Sequence, residues 1–164
     1  MTIKLTIDKL IAKLLAADST LSIVIDHNHN LNLNSEGSHG RTPLMAVAAE
    51  GNLDAFELLI RNGASANSTG EGLMTVLHEA SAGGHTKIVS RLLEQEAHID
   101  AVTFQGVTPL MCAAAWGHYD VAKLLLDAGA DKSMIDCTGA TASNSAREKG
   151  EDQVALLIET WGHE

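Results

Sequence analysis

One spacing dominates the chain. Thr42, Thr75, Thr108 and Thr141 lie 33 residues apart, and nine residues after each stands a glycine: Gly51, Gly84, Gly117 and Gly150. Leu44, Leu77 and Leu110 share one further register, Leu59, Leu92, Leu125 and Ile158 another, and Gly63, Gly129 and Gly162 a third. A period of this length marks a supersecondary unit that cannot bury its apolar face alone and does so by stacking on its neighbours. Aromatic residues make up only 3% of the 164. The core must therefore be built from Ala, Leu, Ile and Val, which favours close-packed helices.

Each unit has readable local chemistry. Thr42-Pro43 and Thr108-Pro109 join an N-cap hydroxyl to a proline at the first helical position, where no backbone N–H is needed. The Ala-rich stretches PLMAVAAE, VLHEASAG and PLMCAAAW predict a short first helix, which the glycine column ends in a tight turn. Paired aliphatics, as in KIVSRLLEQE and DVAKLLLDAG, predict a second helix. The gap before the next threonine is rich in Gly, Asp, Asn, Ser and Thr and predicts a turn or hairpin-like loop.

RTPLMAVAAEGN, TVLHEASAGGH and VTPLMCAAAWGH, with RNGASAN and DAGAD at the unit ends, resemble the ankyrin repeat over residues 35–164. The resemblance implies an all-α solenoid of about five helix-turn-helix units linked by finger-like β-turn loops. The expected units are 35–67, 68–100 and 101–133, between a degenerate N-terminal capping unit, 1–34, and a C-terminal capping unit, 134–164, all one domain. For the first unit, IDKLIAKLLAA predicts one helix and STLSIVID a second, and Asn34 precedes Thr42 as Asn67 precedes Thr75 and Asp100 precedes Thr108. At the far end Ser143, Arg147 and Glu159 stand in apolar columns, the last two opposite Ala48, Ser81 and Ala114 and opposite Ile60, Leu93 and Leu126. Those polar residues suit a unit on which nothing stacks. Two departures stand out. Met45 and Met111 replace the histidine that only His78 keeps, and Leu73 replaces a finger glycine, so the loop 68–74 is expected to turn differently.

Little in the chain predicts chemistry. The formal charge of −10 argues against a nucleic-acid binder, which needs clustered Lys and Arg, and favours a partner with a basic surface. His78, His85 and His118 fall in repeat columns, and the HNH pair His27 and His29 lacks a further ligand at metal spacing. Cys112 reads as a small buried apolar residue, and no His or Asp is placed by sequence to activate it. No enzyme, cofactor or metal is predicted. Lysines at 4, 9 and 13 interrupt the apolar N-terminus, and no stretch reaches transmembrane length. A cytoplasmic protein is expected, with secretion by a non-classical route as the alternative.

The resemblance implies that first helices and fingers form a concave groove for one protein partner. Its positions are Glu50, Gly83, Trp116 and Lys149 ahead of the glycines, and at the finger tips Ser38, His39 and Arg41, then Glu71, Gly72 and Met74, then Phe104, Gln105 and Val107, then Cys137 and Thr138. Phe104, Val107 and Trp116, flanked by Met74, make an apolar cluster that the repeat does not require. Trp116 is then an anchor for a partner, or Trp116 and Phe104 lean on each other. Tyr119 either extends the patch or covers a helix turn. A monomeric non-enzymatic adaptor or inhibitor follows, with a self-associating scaffold as the alternative.

Overall fold

The computed structural model describes residues 7–16, 32–37 and 39–162. Nine α-helices lie among them: α1 (Ile7–Leu15), α2 (Pro43–Ala49), α3 (Leu53–Arg61), α4 (Val76–Ala82), α5 (Thr86–Glu94), α6 (Pro109–Ala115), α7 (Tyr119–Asp127), α8 (Ala142–Lys149) and α9 (Asp152–Thr160). The second helix expected in 19–26, the HNH pair and Ser38 lie outside the described residues. Thr42, Thr75, Thr108 and Thr141 start α2, α4, α6 and α8 as extended N-caps, their Oγ1 atoms accepting the N–H three residues on at 3.2–3.4 Å. The glycine column then reverses the chain with φ of +72 to +81°.

The helices form two layers. α1, α2, α4, α6 and α8 pack on one another in that order, and α3, α5, α7 and α9 form the second row. Contact is closer in the first row, because its facing residues are mostly Ala and small neighbours let helix axes approach. Closer packing in the first row favours a bend toward it, and that side is called the inner face. Between the rows lies one core, in which Leu44, Leu77 and Leu110 and the column Leu59, Leu92, Leu125 and Ile158 are all buried.

Three sets of hydrogen bonds link neighbouring units. The Asx column that marks the unit ends is one: Asn34, Asn67 and Asp100 accept from the N–H groups of Ser65, His98 and Asp131 at 2.7–3.0 Å. A second runs beneath the first helices, where Asn52, His85 and His118 donate to the carbonyls of Leu14, Ala49 and Ala82 at 2.8–3.2 Å. The third ties finger to finger, from the N–H groups of Glu71, Phe104 and Cys137 to the carbonyls of Gly40, Gly72 and Gln105. Among the described residues the fingers hold no strand, only an isolated bridge between Thr69 and Thr75.

The unusual finger does turn differently, through a short 3₁₀ segment at Glu71–Leu73. Leu73 sits at φ +62° where Gly40, Gly106 and Gly139 stand in the other fingers, and Glu96 sits at φ +56° in the column of Gly63, Gly129 and Gly162. A side chain in the left-handed region costs roughly 1–2 kcal/mol, part of which the greater freedom of unfolded glycine offsets. Both side chains are exposed, so little packing is lost on removing them. Leu73→Gly and Glu96→Gly are each expected to stabilise by about 0.5–1 kcal/mol, read as a higher urea midpoint at unchanged slope. Leu73→Ala, which keeps the Cβ, should give no such gain.

At the C-terminal end the two polar replacements meet. Arg147 donates from Nε and Nη2 to the two carboxylate oxygens of Glu159 at 2.9 and 2.8 Å, covering the outer side of α8 and α9. Trp161 packs against the end of the core, with Lys123 Nζ 5.5 Å from its ring centre and Lys132 Nζ donating to its carbonyl.

Candidate functional site

The inner face is built from two rows one helical turn apart. One consists of Ala46, Glu79, Cys112 and Ser145, and the other of Glu50, Gly83, Trp116 and Lys149, since residues four apart on a helix are neighbours. Trp116 caps the C-terminus of α6 and is 67% exposed; Phe104, on the adjoining finger, is 74% exposed. Exposures this high leave most of both rings open to solvent. Val107 and Met74 are half-buried and rest on the core, so they form the base of the patch rather than its tip.

The finger carrying Phe104 is held from several sides. Thr103 and Val107 exchange hydrogen bonds across it, the Phe104 N–H reaches Gly72, and Gln105 accepts from Cys137. From below, the buried His78 ring donates through Nε2 to the Val107 carbonyl at 2.9 Å, while Nδ1 accepts from Thr75 Oγ1 at 2.8 Å and the Thr75 N–H at 3.2 Å. This fixes the tautomer with its proton on Nε2. Burial holds the His78 imidazole below its ordinary pKa, opposed in part by the bond to Val107. Met45 and Met111 make no such link between units. Met111 Sδ only accepts the Thr108 N–H at 3.4 Å.

One charged residue of the face escaped the sequence reading. Glu79 is buried in the row of small residues, with its carboxylate gripped by Arg41 through Nε at 2.8 Å and Nη2 at 3.1 Å. Burial pushes its pKa above the usual carboxylate value, and Arg41 only partly opposes this. The available signal was its column, where Glu79 is the one acid among Ala46, Cys112 and Ser145. Cys112, next along, is half-buried rather than fully buried. Burial, with the Glu79 charge adding to it, pushes its thiol up to about 12, which favours the protonated form at neutral pH.

The remaining predicted positions spread around this centre. Arg41, Glu50, Glu71, Gln105 and Lys149 are exposed, and His39 and Glu50 edge a cleft beside α1. Tyr119 is exposed and lines a recess at the helix turns with Gly84, Thr86 and His118. Among the described residues no group of three His, Cys, Asp or Glu comes together as a metal set, and no helix is long and apolar enough to cross a membrane.

Family models for ankyrin repeats match residues 39–71, 67–136 and 105–162. The chain belongs to the ankyrin-repeat family. Ankyrin repeats serve generally as protein–protein interaction modules, and the family is typically non-enzymatic. No curated protein matches the chain. Within the ankyrin frame, the Thr and Gly columns, and the Pro, Leu and His that recur in some of the units, are structural, whereas the column of Glu50, Gly83, Trp116 and Lys149 is not fixed by the repeat.

Proposed function

We propose that the chain is a monomeric, non-enzymatic adaptor or inhibitor that binds one protein partner through its inner face. Phe104, Val107 and Trp116 form the centre, with Met74 beneath, and Glu50, Glu71, Arg41, His39, Gln105 and Lys149 around them. Residues 1–34 and 134–164 act as the caps of a five-unit stack. The observation that carries this reading is the exposure of two aromatic rings on a finger and helix end that the fold holds rigid without them. A held anchor binds at lower entropic cost than a mobile one, and Trp is enriched among residues that dominate interface energies. The net charge of −10 supports a basic partner surface.

The test uses the intact chain as bait in extract of its native host. Phe104→Ala with Trp116→Ala is expected to reduce capture of the specific partner at least about 30-fold, from roughly 2 kcal/mol or more lost on truncating a hot spot. Both side chains are exposed, so circular dichroism and the urea midpoint should stay near the parent's. Unchanged capture by a folded double variant would sink the assignment. Light scattering addresses self-association: a dimer that Trp116→Ala converts to monomer would favour the scaffold reading instead.

A further inference from the structure

The inner face carries a second feature at its N-terminal end, a cleft of about 350 Å³ between α1 and α2. α1 buries Leu10 and Leu14 completely, yet its apolar stripe is wider than α2 can cover, and Leu15 remains 45% exposed. Ile11, Ala12 and Leu15, together with Ala46 of α2, make the apolar floor. Asp8, Glu50, His39 and Arg41 stand at the rim. The Arg41 guanidinium is already turned to Glu79, which neutralises it. The Glu50 carboxylate makes no hydrogen bond or ion pair with any described residue and stands at the C-cap of α2. With Arg41 set against Glu79, Glu50 offers the cleft a carboxylate that no described residue pairs.

An apolar floor under an acidic rim suits a side chain with an aliphatic stem and a cationic head. We propose that the cleft receives one arginine or lysine side chain of the protein partner, its stem on Ile11, Leu15 and Ala46 and its charge at Glu50. The inference rests on the partner-binding reading of the inner face and deepens it. Neighbouring helix axes lie about 8–10 Å apart, so the cleft stands roughly 20–25 Å from Trp116 on α6. The partner therefore presents a basic residue and an apolar anchor separated by about that span, some seven residues of extended chain at roughly 3.3 Å each.

The experiment needs no knowledge of the partner. N-butylguanidinium is titrated into the full chain, and the methyl signals of Ile11, Leu15 and Ala46 are followed by carbon–proton correlation NMR. Saturable shifts at those three residues are expected, with a dissociation constant of about millimolar order for so small a ligand. Binding should be at least fivefold weaker in Glu50→Gln and for 1-butanol in place of the cation. Trp116→Ala should leave it unchanged. Absence of saturation at these methyls would overturn the proposal, as would equal binding of butanol or equal binding by Glu50→Gln. Because the Trp116→Ala arm is independent, the cleft can fail while partner capture still depends on Trp116, and the reverse outcome is equally visible.

Discussion

Gly84→Ala is expected to destabilise the chain by about 2–4 kcal/mol, and Gly129→Ala by only about 1–2 kcal/mol. Both glycines have positive φ, +72° and +94°, so each added Cβ meets the same left-handed penalty of roughly 1–2 kcal/mol. Their surroundings differ. Nothing lies within 4 Å of a Cβ at Gly129, whereas one at Gly84 falls 2.6 Å from His118 Nδ1 and 2.7 Å from Cε1. That ring cannot step aside cheaply, because its Nε2 donates to the Ala82 carbonyl at 2.8 Å. Displacing it adds about 0.5–1.5 kcal/mol for the lost bond, plus repacking. Two further positions of the same column sharpen the test. Gly51 faces the His85 ring, which is held in the same manner, while Gly117 faces the flexible Glu151 carboxylate. Gly51→Ala should therefore resemble Gly84→Ala, and Gly117→Ala should resemble Gly129→Ala. Urea midpoints for the four variants measure this directly, and equal losses at all four would refute the role assigned to the histidine rings.

The second large effect concerns His78. His78→Ala is expected to cost about 2–4 kcal/mol, since it opens a cavity and strips partners from the Thr75 N–H and the Val107 carbonyl. His78→Met should cost roughly 1 kcal/mol, because Met45 and Met111 already fill that column and a sulfur can still accept from the threonine N–H. The two variants also separate packing from protonation. The folded-state pKa of His78 is depressed, so its contribution to stability is complete above the unfolded value near 6.5. Below that pH the unfolded chain takes up a proton that the folded one refuses, and stability falls by up to about 1.4 kcal/mol per unit. The fall stops once the pH is below the folded pKa. Glu79 acts in the opposite sense. Its raised pKa means that the folded state binds a proton the unfolded state has lost, which favours folding as pH falls toward 4.5. Wild-type urea midpoints should therefore decline from pH 7.5 to 5.5, and those of His78→Met should stay flat or rise slightly. A wild-type midpoint constant over that range would contradict the depressed pKa. The loss in His78→Ala bears on binding too, because His78 holds the finger that presents Phe104.

How much was legible beforehand follows from what each residue answers to. The threonine caps, the glycine turns and the aliphatic columns obey local rules and recur at a fixed spacing, so the chain specified its helices and their stacking before any contact was known. Trp116 could be singled out for the complementary reason that it breaks its own column. Leu73 and Glu96 could be seen as departures from glycine columns, but their positive φ values depend on the neighbouring units holding those turns in place.

What only the tertiary structure decided was which side chains from different units meet. Arg41 and Glu79 are 38 residues apart and Arg147 and Glu159 twelve, and neither pairing has a local signature. The burial of Glu79, the thiol pushed up at Cys112 and the cleft between α1 and α2 arise from stacking one unit against the next. The sequence thus determined the repeating unit, because hydrogen bonds and helix caps within a unit act over a few residues. The chemistry of the inner face is a property of the packed solenoid, where distances across units, and the water excluded between them, set charge and exposure.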